Sequence, residues 1–465
     1  MRRVFTSVAI SVFSLALPMV GCSSDDTDGV EAQASAETDA SLFEIGGTVT
    51  GLEGSGLVLK NNGADDLAVD SGGGSSTFKF KTKVAAGTKY DVTVATNPEK
   101  PSQSCTVAGG SGTVVAGGVS TVVVNCSTNR FTVGGTVSGL DGTGLVLQNN
   151  KGDDATINAN GTFSFATPIV SGAAFRVTVA TQPSDQFCVV DDGDGVMSAA
   201  PVSNVTVSCV KSSFSNTGTG ATGTLQSFTA PQTRTYRIEA WGAQGASGGA
   251  VKLGGLGARM RGDFALTKGD VLTILVGQAG TQTTDDGGGG GGSFVVIGTT
   301  PLLVAGGGGG TRVESSFNGR DASVGPEGVA GSGENDGPEN ITAGGTAGSG
   351  GGFQDSWGAG GGGFSGDGAD DTDGDSVYGY GGKSFLQGGE GGGSGTGCDG
   401  APAFGGFGGG GAGNGCNGGG GGGGYSGGGG GWNAGGGGSF NSGLNPSNSA
   451  GARSGHGLVT ITLAP

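Results

Sequence analysis

The sequence predicts an all-β protein, and three features of the chain support this fold class. Residues 90–94 and 175–179 alternate apolar and polar side chains, with the period of half-buried strands. Gly-Gly, Gly-Ser and Asn-Asn pairs interrupt such segments about every 8–12 residues, which is typical of short antiparallel strands. A glycine-rich tract, 287–456, has strand-like segments at both ends, including 457–463 after it. We therefore expect sheets throughout, with the tract inside a folded unit.

The chain begins with a predicted lipoprotein signal peptide, 1–21. Two basic residues, Arg2 and Arg3, precede an apolar run from 8 to 20. The sequence LPMVGC that ends at Cys22 resembles the lipobox of bacterial lipoproteins. This resemblance implies diacylation of the Cys22 thiol and anchoring in the outer membrane or at the cell surface, since two acyl chains hold a protein stably on a membrane. The alternative is an ordinary signal peptide with a chance cysteine.

A predicted flexible acidic tether, 22–41, leads into an internal repeat. The tether has too little apolar surface to offset the entropy of ordering. The repeat is marked by IGGTVTGL from Ile45 and VGGTVSGL from Val133. We expect two small antiparallel β-sandwiches, at 42–127 and 128–212. They resemble the GGTVSGL-type repeats of bacterial lipoproteins, which implies an immunoglobulin-like outline without assigned catalysis.

The remaining cysteines form three local pairs, separated by 21, 21 and 18 residues. An even number of cysteines in an exported chain indicates disulfide bonds. Metal binding is the alternative, but C-x-x-C spacing and a nearby histidine are both missing from the sequence. The predicted disulfides are Cys105–Cys126, Cys188–Cys209 and Cys398–Cys416.

The last predicted domain, 213–465, contains the glycine tract, in which 70 of the 170 residues from 287 to 456 are glycine. Its segments YRIEAWGAQG, ILVGQAG, LLVAGGGGG, GGGGYSGGGGG and GLVTITL resemble the glycine-rich domain of the anaplastic lymphoma kinase receptor family. The resemblance implies a β-sandwich with an inserted bundle of polyglycine-II helices, and a part in ligand binding.

Extended helices with three residues per turn give a physical reason why glycine could be ordered here. They make no internal hydrogen bonds, so their backbone groups need neighbours or water as partners. Without Cβ atoms, several such helices can approach closely and bond laterally. Collagen is excluded because a strict Gly-X-Y period is absent. The alternative is a disordered glycine–aromatic tract.

Aromatic residues within the tract are candidates for ligand contact. They could form a stacking surface for a glycan or a protein. The alternative is that each ring anchors the glycine segments as one of their few hydrophobic groups. The candidate binding residues are Trp357, Tyr378, Tyr380, Tyr425 and Trp432.

Acidic clusters offer weak candidates for calcium binding. Asp371, Asp373 and Asp375 alternate as in calcium loops, and 191–194 has a similar look. Neither completes the calcium-loop pattern, because Ser376 occupies the position of the expected glycine. Solvated acidic turns are the alternative, and we predict no metal and no cofactor.

Two other motifs carry little functional information. Residues 261–263 spell Arg-Gly-Asp, but the surrounding ARMRGDFAL predicts a strand. The single histidine, His456, has no second histidine or serine elbow with which to form a triad, so we expect a turn residue and no enzyme.

Net charge argues against one class of partner, and the lipobox-like sequence leads us to expect a function in the cell envelope. The formal net charge of −17 argues against nucleic acid as a partner. We expect a lipid-anchored protein whose glycine-rich domain has a non-catalytic recognition or adhesion role, with a surface protein or a glycan as ligand. The alternatives are a structural envelope or matrix component without a specific ligand and, third, an accessory module of a carbohydrate-processing enzyme.

Overall fold

The computed structural model describes residues 41–72, 74–249, 252–333, 341–353, 357–393, 395–396, 403–414 and 418–465. This part of the chain is all-β, as the sequence predicts, and it forms several sheets. The predicted signal peptide, Cys22 and the tether up to residue 40 lie outside the described residues. None of the helices within these ranges is long and apolar enough to cross a membrane.

The first repeat folds into two four-stranded sheets and a two-stranded one. Its strands are β1 (Leu42–Phe43), β2 (Ile45–Leu52), β3 (Leu57–Asn61), β4 (Asp65–Val69), β5 (Gly74–Lys79), β6 (Val84–Ala85), β7 (Lys89–Thr96), β8 (Gln103–Ala108), β9 (Ser111–Thr113) and β10 (Val119–Thr128). The strand orders are β5-β2-β10-β8, β4-β3-β7-β9 and β1-β6. Alternate residues of the strands, such as Leu57 and Leu59, are buried in one hydrophobic cluster shared by the two larger sheets.

The second repeat has the same strand order. Its strands are β11 (Arg130–Phe131), β12 (Val133–Ser138), β13 (Leu145–Asn149), β14 (Asp153–Ile157), β15 (Gly161–Ser164), β16 (Ile169–Val170), β17 (Ala174–Thr181), β18 (Gln186–Asp191), β19 (Asp194–Val196) and β20 (Val202–Lys211). They pair as β15-β12-β20-β18, β14-β13-β17-β19 and β11-β16. The internal repetition of the sequence is therefore also a repetition of topology.

One pairing in each repeat is parallel, so the expectation of purely antiparallel sheets was wrong. Strands β2 and β10 run in the same direction, as do β12 and β20. These are the first and last long strands of a repeat, so no hairpin joins them and nothing local sets their direction. Gly47 and Gly135 lie within these pairs, where a Cβ would be 1.9 Å and 1.8 Å from a carbonyl oxygen of the neighbouring strand. The Gly-Gly motif therefore permits close approach of strands here and does not mark a turn.

A buried glutamine stabilises the same turn in both repeats. The Gln103 Oε1 accepts hydrogen bonds from the N–H groups of residues 53 and 54, and its Nε2 donates to the carbonyl of residue 51. Gln186 makes the equivalent three bonds to residues 141, 142 and 139. The two glutamines are the first residues of β8 and β18, the strands that carry Cys105 and Cys188.

Two of the three predicted cysteine pairs lie face to face in the sheets. The sulfur atoms of Cys105 and Cys126 are 2.03 Å apart, and those of Cys188 and Cys209 are 2.00 Å apart, both at disulfide distance. In each repeat the pair joins the final strand to the edge strand beside it, β10 to β8 and β20 to β18. Cys398 and Cys416 lie outside the described residues.

The third unit contains two five-stranded sheets. Its strands are β21 (Ser213–Phe214), β22 (Gln226–Thr229), β23 (Arg234–Trp241), β24 (Gly257–Leu266), β25 (Val271–Leu275), β26 (Ser293–Ile297), β27 (Thr300–Ala305), β28 (Gly331–Ser332), β29 (Ile341–Thr342), β30 (Asp371–Asp373), β31 (Ser376–Gly379), β32 (Phe440–Asn441), β33 (Ser449–Arg453) and β34 (Leu458–Leu463). A 3₁₀ helix spans Phe385–Gln387. The large sheets have the orders β21-β34-β23-β24-β33 and β22-β25-β26-β27-β32, and β28-β29 and β30-β31 are small pairs.

The sheet that contains β26 is buried on both faces. Val295 packs into the cluster between the two large sheets, whereas Phe294 and Val296 face a second cluster on the opposite side. Rings from the glycine-rich segments, including Phe364 and Phe385, cover that second cluster. This double burial explains why β26 is apolar at successive positions and does not alternate.

The glycine runs 287–292, 306–310, 418–424 and 427–431 are buried and bond to one another. For example, Gly290 donates to Gly308, while Gly307 donates to Gly423 and Gly423 donates back to Gly290, at 2.8–2.9 Å. A Cβ on most of these glycines would stand about 2 Å from a backbone oxygen of a neighbouring segment. The alternative of a disordered tract does not describe these runs.

Apolar side chains join the second repeat to the third unit. Phe187 and Val189 of β18 belong to the same core cluster as Phe228 and Tyr236. The Phe187 ring centroid lies 6.1 Å from that of Phe228 and 5.9 Å from that of Tyr236. Burial raises the pKa of Tyr236, whose hydroxyl donates to the Gln232 carbonyl. We call this contact, centred on Phe187, the seam.

Candidate functional site

The five candidate aromatic residues lie in three different places. Trp357 and Trp432 come together, although 75 positions separate them in the sequence. Tyr425 is part of the second core cluster. Tyr378 and Tyr380 lie on or directly after β31. Only the tryptophan pair combines candidate residues from two distant segments of the described chain.

Adjacent glycine runs position the tryptophan pair. Gly358, which follows Trp357, has a φ of 106°, and a Cβ there would be 2.2 Å from the carbonyl oxygen of Gly419. Gly419 in turn pairs with Gly431, the residue before Trp432. The ring centroids of the two tryptophans are 6.3 Å apart, and the ring planes are tilted by 60°. The two half-buried indoles therefore form an open corner at the edge of the glycine core.

Arg312 packs directly on this corner. Its guanidinium carbon lies 3.9 Å from the centroid of the Trp432 ring, well within cation–π range. Its backbone N–H donates to the Trp432 carbonyl at 3.1 Å. The residue is only 6% exposed, and its Nη2 makes an ion pair with Glu314, whose side chain is largely in solvent.

Two N–H donors at the corner have no hydrogen-bond partner within the described part of the chain. They are the Nε of Arg312 and the Nε1 of Trp432, and both atoms are buried. Neither group can act as an acceptor. A buried donor that lacks an acceptor costs about 1–3 kcal/mol, so native proteins seldom leave one without a protein or water partner. The apolar corner therefore lies against two buried N–H groups that lack acceptors among the described residues.

A second arginine–tryptophan contact in the same unit shows what a fully paired arrangement looks like. Arg259 lies over Trp241, 5.8 Å from the ring centroid. Glu239 accepts hydrogen bonds from both the Nε and the Nη2 of Arg259. At Arg312, by contrast, Glu314 engages only the Nη2 edge. The Trp432 site thus differs from the Trp241 contact by the buried donors that it leaves without acceptors among the described residues.

The segment after the run 306–310 contributes residues that sequence reasoning missed. Arg312 and Glu314 belong to it, and so does Phe317, which is 49% exposed. The Ser315 hydroxyl donates to the side-chain oxygen of Asn433, which places this turn beside Trp432. The motif TRVESSF, directly after five glycines, could have indicated the site, because it places a charged pair and an aromatic residue at the end of a glycine run.

Tyr425 is an anchor of the core. Its ring stacks on Phe440, with centroids 4.8 Å apart, and on Phe364 at 6.2 Å. It also borders a cleft of about 530 Å³ with Val324 and Glu327. With neighbours on both ring faces, Tyr425 fits the alternative of a hydrophobic anchor better than that of a stacking platform.

The acidic hairpin β30–β31 does not bring its three aspartates together. Asp371 points inward, where its Oδ2 accepts hydrogen bonds from the Gly358 N–H at 2.8 Å and from Asn414 at 3.0 Å. Asp373 accepts a hydrogen bond from the Tyr378 hydroxyl at 3.1 Å, and Asp375 lies exposed in the turn. Within the described ranges, no group of three His, Cys, Asp or Glu residues could hold a metal ion.

The other acidic candidates have protein partners. Asp191 binds Lys268 across the seam at 3.1 Å, and Asp194 binds Arg176 at 3.4 Å. Asp263, from the Arg-Gly-Asp motif, lies in β24 as expected for a strand and is 6% exposed. It accepts two hydrogen bonds from Arg237 and one from Asn445, so it is not presented to a partner.

His456 has a structural contact near the last strand. Its Nδ1 accepts a hydrogen bond from the Ala279 N–H at 3.1 Å, and its carbonyl accepts one from Arg453 at 2.8 Å. It lies in the connection between β33 and β34, in agreement with the expected turn.

Comparisons with known proteins leave the function to be argued from this geometry. A scan against protein-family models finds no match to the chain. A search of curated proteins finds no significant match either.

Proposed function

We propose that this protein is a lipid-anchored component of the bacterial cell envelope that recognises a surface protein or a glycan without catalysis. The observation that carries the proposal is the corner of Trp357 and Trp432, with two buried N–H donors, the Arg312 Nε and the Trp432 Nε1, that lack acceptors among the described residues. Binding sites commonly combine an apolar surface with a few polar groups that fix orientation. The fixed backbone of the surrounding glycine runs would hold this corner ready for a ligand, so little ordering entropy would be lost on binding.

We further propose that the glycine runs are polyglycine-II helices inserted into a β-sandwich. In support, the N–H groups of these runs donate to other runs, as in Gly422 to Gly435 and Gly437 to Gly307. Extended helices of this type make no internal hydrogen bonds and need lateral partners. Each repeat is proposed to be a β-sandwich spacer, supported by two sheets that share one core.

The envelope location is supported by the lipobox-like sequence before Cys22 and by the cysteine pairs. Disulfides persist in oxidising compartments outside the cytoplasm. The two repeats would carry the third unit away from the membrane. A glycine-rich unit at the outer end of such a stalk would be the part that meets a ligand.

The proposal is tested by binding and accessibility together. Protease added to intact cells is expected to cleave the protein if the third unit is at the surface. A glycan and protein array probed with the full chain is expected to give ligands that the double variant Trp357→Ala/Trp432→Ala no longer binds. The variant Trp241→Phe is the matched control, because it changes a tryptophan with its own arginine contact elsewhere in the unit.

The alternative function has a clear signature in the same experiments. If the array stays silent and intact cells protect the protein, recognition is the wrong function. A structural component of the envelope would then account for the chain better.

A further inference from the structure

We propose that the tryptophan corner binds an uncharged sugar ring through its acceptor oxygens. This inference rests on the proposed recognition function and names the ligand class of the same site. Three features of the described residues support it: the donors that lack partners, the charge at the corner, and the arrangement of the two rings.

The free hydrogen-bonding groups select a ligand that accepts. The Arg312 Nε and the Trp432 Nε1 are donors only, and neither has an acceptor among the described residues. The guanidinium carbon lies 3.9 Å from the Trp432 ring centroid, so both N–H groups belong to one contact. Both atoms are buried, so the Arg312 side chain has to shift before a ligand can reach them. A ligand with oxygens at suitable spacing would then satisfy both groups at once. Ring and hydroxyl oxygens of a sugar can accept in this way.

Charge at the corner favours a neutral ligand. The Nη2 of Arg312 is already paired with the carboxylate of Glu314, so the arginine has little net charge to offer an anion. A carboxylate or sulfate placed against the Nε would lie close to Glu314 and would be repelled. The net charge of −17 for the whole chain also disfavours anionic ligands.

The two indoles provide an apolar surface suited to a ring. With their planes tilted by 60° and centroids 6.3 Å apart, a flat ligand stacked on one indole meets the edge of the other. The C–H face of a pyranose suits such a surface, while its oxygens point outward toward donors. Phe317, on the neighbouring turn, is also exposed.

The test is a titration of the full chain with defined oligosaccharides. The probes are maltopentaose, cellopentaose and chitopentaose, with pentagalacturonate as the acidic comparison. Tryptophan fluorescence reports binding, and the indole N–H signals of the three tryptophans, assigned by single Trp→Phe variants, report its location. We expect at least one neutral probe to shift the Trp432 indole signal and to bind more tightly than pentagalacturonate.

Variants separate the contribution of the N–H donors to binding from that of the aromatic rings. Trp432→Phe keeps an aromatic ring but removes the Nε1 donor, so it should weaken binding by about tenfold. Trp357→Ala removes one wall of the corner and should abolish binding. Trp241→Phe should bind like the wild type. Melting temperatures identify a variant that fails to fold, and Trp357→Ala and Trp432→Phe serve as independent tests of each other.

Three outcomes would overturn the inference: no response to any neutral probe, tighter binding of pentagalacturonate, or unchanged affinity in both corner variants. A fast-exchanging Trp432 indole proton with no probe response would mean that water satisfies the donor. If sugars fail but the corner variants still lose a protein ligand on the array, recognition stands and only the sugar class is wrong. If the corner variants change neither assay, the recognition function fails as well.

Discussion

At the scale of single residues, Asp263 belongs to an Arg-Gly-Asp motif, but its carboxylate is bonded within the fold. Hydrogen bonds from Arg237, and then from Asn445, hold the pKa of the Asp263 carboxyl below its usual range. A carboxyl whose pKa is depressed in the folded state stabilises that state above the unfolded pKa, and this contribution is lost as the pH falls through the folded pKa. Asp263 should therefore support stability at neutral pH and cease to do so in acid.

Replacement of Asp263 by Asn tests this contribution. Asp263→Asn should lower the melting temperature by several degrees at pH 7, because Arg237 loses its carboxylate partner. The difference from wild type should shrink as the pH falls below the unfolded pKa of about 4 and then through the lower pKa of the folded carboxyl, where the wild-type side chain becomes protonated. Asp194→Asn is the matched control, since the Arg176–Asp194 pair is exposed and should contribute little. Equal losses in the two variants would contradict the assignment.

Individual glycines of the core differ in how much they can be changed. A Cβ on Gly428 would be 2.0 Å from the Gly435 carbonyl oxygen, whereas one on Gly393 would meet no atom of the described residues within 4 Å. Both positions lie in the tract, and neither has a positive φ. The two glycines therefore form a pair that differs in the space available for a side chain.

Alanine should reduce the stability strongly at Gly428 and hardly at all at Gly393. Gly428→Ala should reduce the free energy of unfolding by about 3 kcal/mol, because a backbone segment must move to admit the methyl group. Gly393→Ala should change it by less than about 0.5 kcal/mol. Denaturant unfolding of the full chain measures both. A harmless Gly428→Ala would mean that the runs are packed more loosely than described.

At the scale of elements, the seam distinguishes two repeats that otherwise share a topology. The first repeat has Ser104, Thr106 and Ser127 at exposed positions of β8 and β10. The second has Phe187, Val189 and Val210 at the equivalent positions, and all three pack against the third unit. These replacements convert a polar outer face into an apolar one. The seam therefore couples β18 and β20 to the third unit.

The variant Phe187→Ser tests this coupling. It should reduce the free energy of unfolding by about 3 kcal/mol, since a large buried ring is lost from the core shared with Phe228. It should also make the junction near 212 sensitive to limited proteolysis. Phe404→Ser is the control, because Phe404 is already 42% exposed. If both variants unfold alike, the two units do not depend on the seam.

Strands were predictable where a local pattern determines them. The alternation at 90–94 and 175–179 corresponds to β7 and β17, and the last strand-like segment, 457–463, corresponds to β34. The parallel pairs were not predictable, because β2 and β10 meet through tertiary packing alone. The seam could have been predicted from the sequence, since Phe187 aligns with Ser104 when the two repeats are superposed on their cysteines.

The site was only partly predictable for a similar reason. Composition identified Trp357 and Trp432 as candidates, but their contact depends on the register of glycine runs whose sequence carries no register signal. The role of Arg312 follows from that contact and could not be derived without it. Tyr425 was indistinguishable from the tryptophans in sequence, although in the fold it is enclosed by two rings.

At the scale of the whole molecule, anchoring is the property most open to direct test. If the lipobox-like sequence functions, Cys22→Ser should move the protein from the membrane fraction to the soluble fraction and abolish incorporation of labelled palmitate. Ser24→Ala, two residues away, should leave both unchanged. A Cys22→Ser protein that remains in the membrane fraction would show that another feature holds it there.

Because the glycine runs are bonded to one another along their length, the number of residues in each run matters more to the fold than its composition. One additional glycine in the run 418–424 would leave the run all glycine, yet it would displace every following residue by one position. Ser426 would then occupy the place of Gly427, where a Cβ would be 1.7 Å from the Gly361 carbonyl oxygen, and the partners of the next run would all be mismatched. Such an insertion acts as a dislocation does in a crystal. A glycine run that reads almost the same after such an insertion thus belongs to a fold that does not accept one.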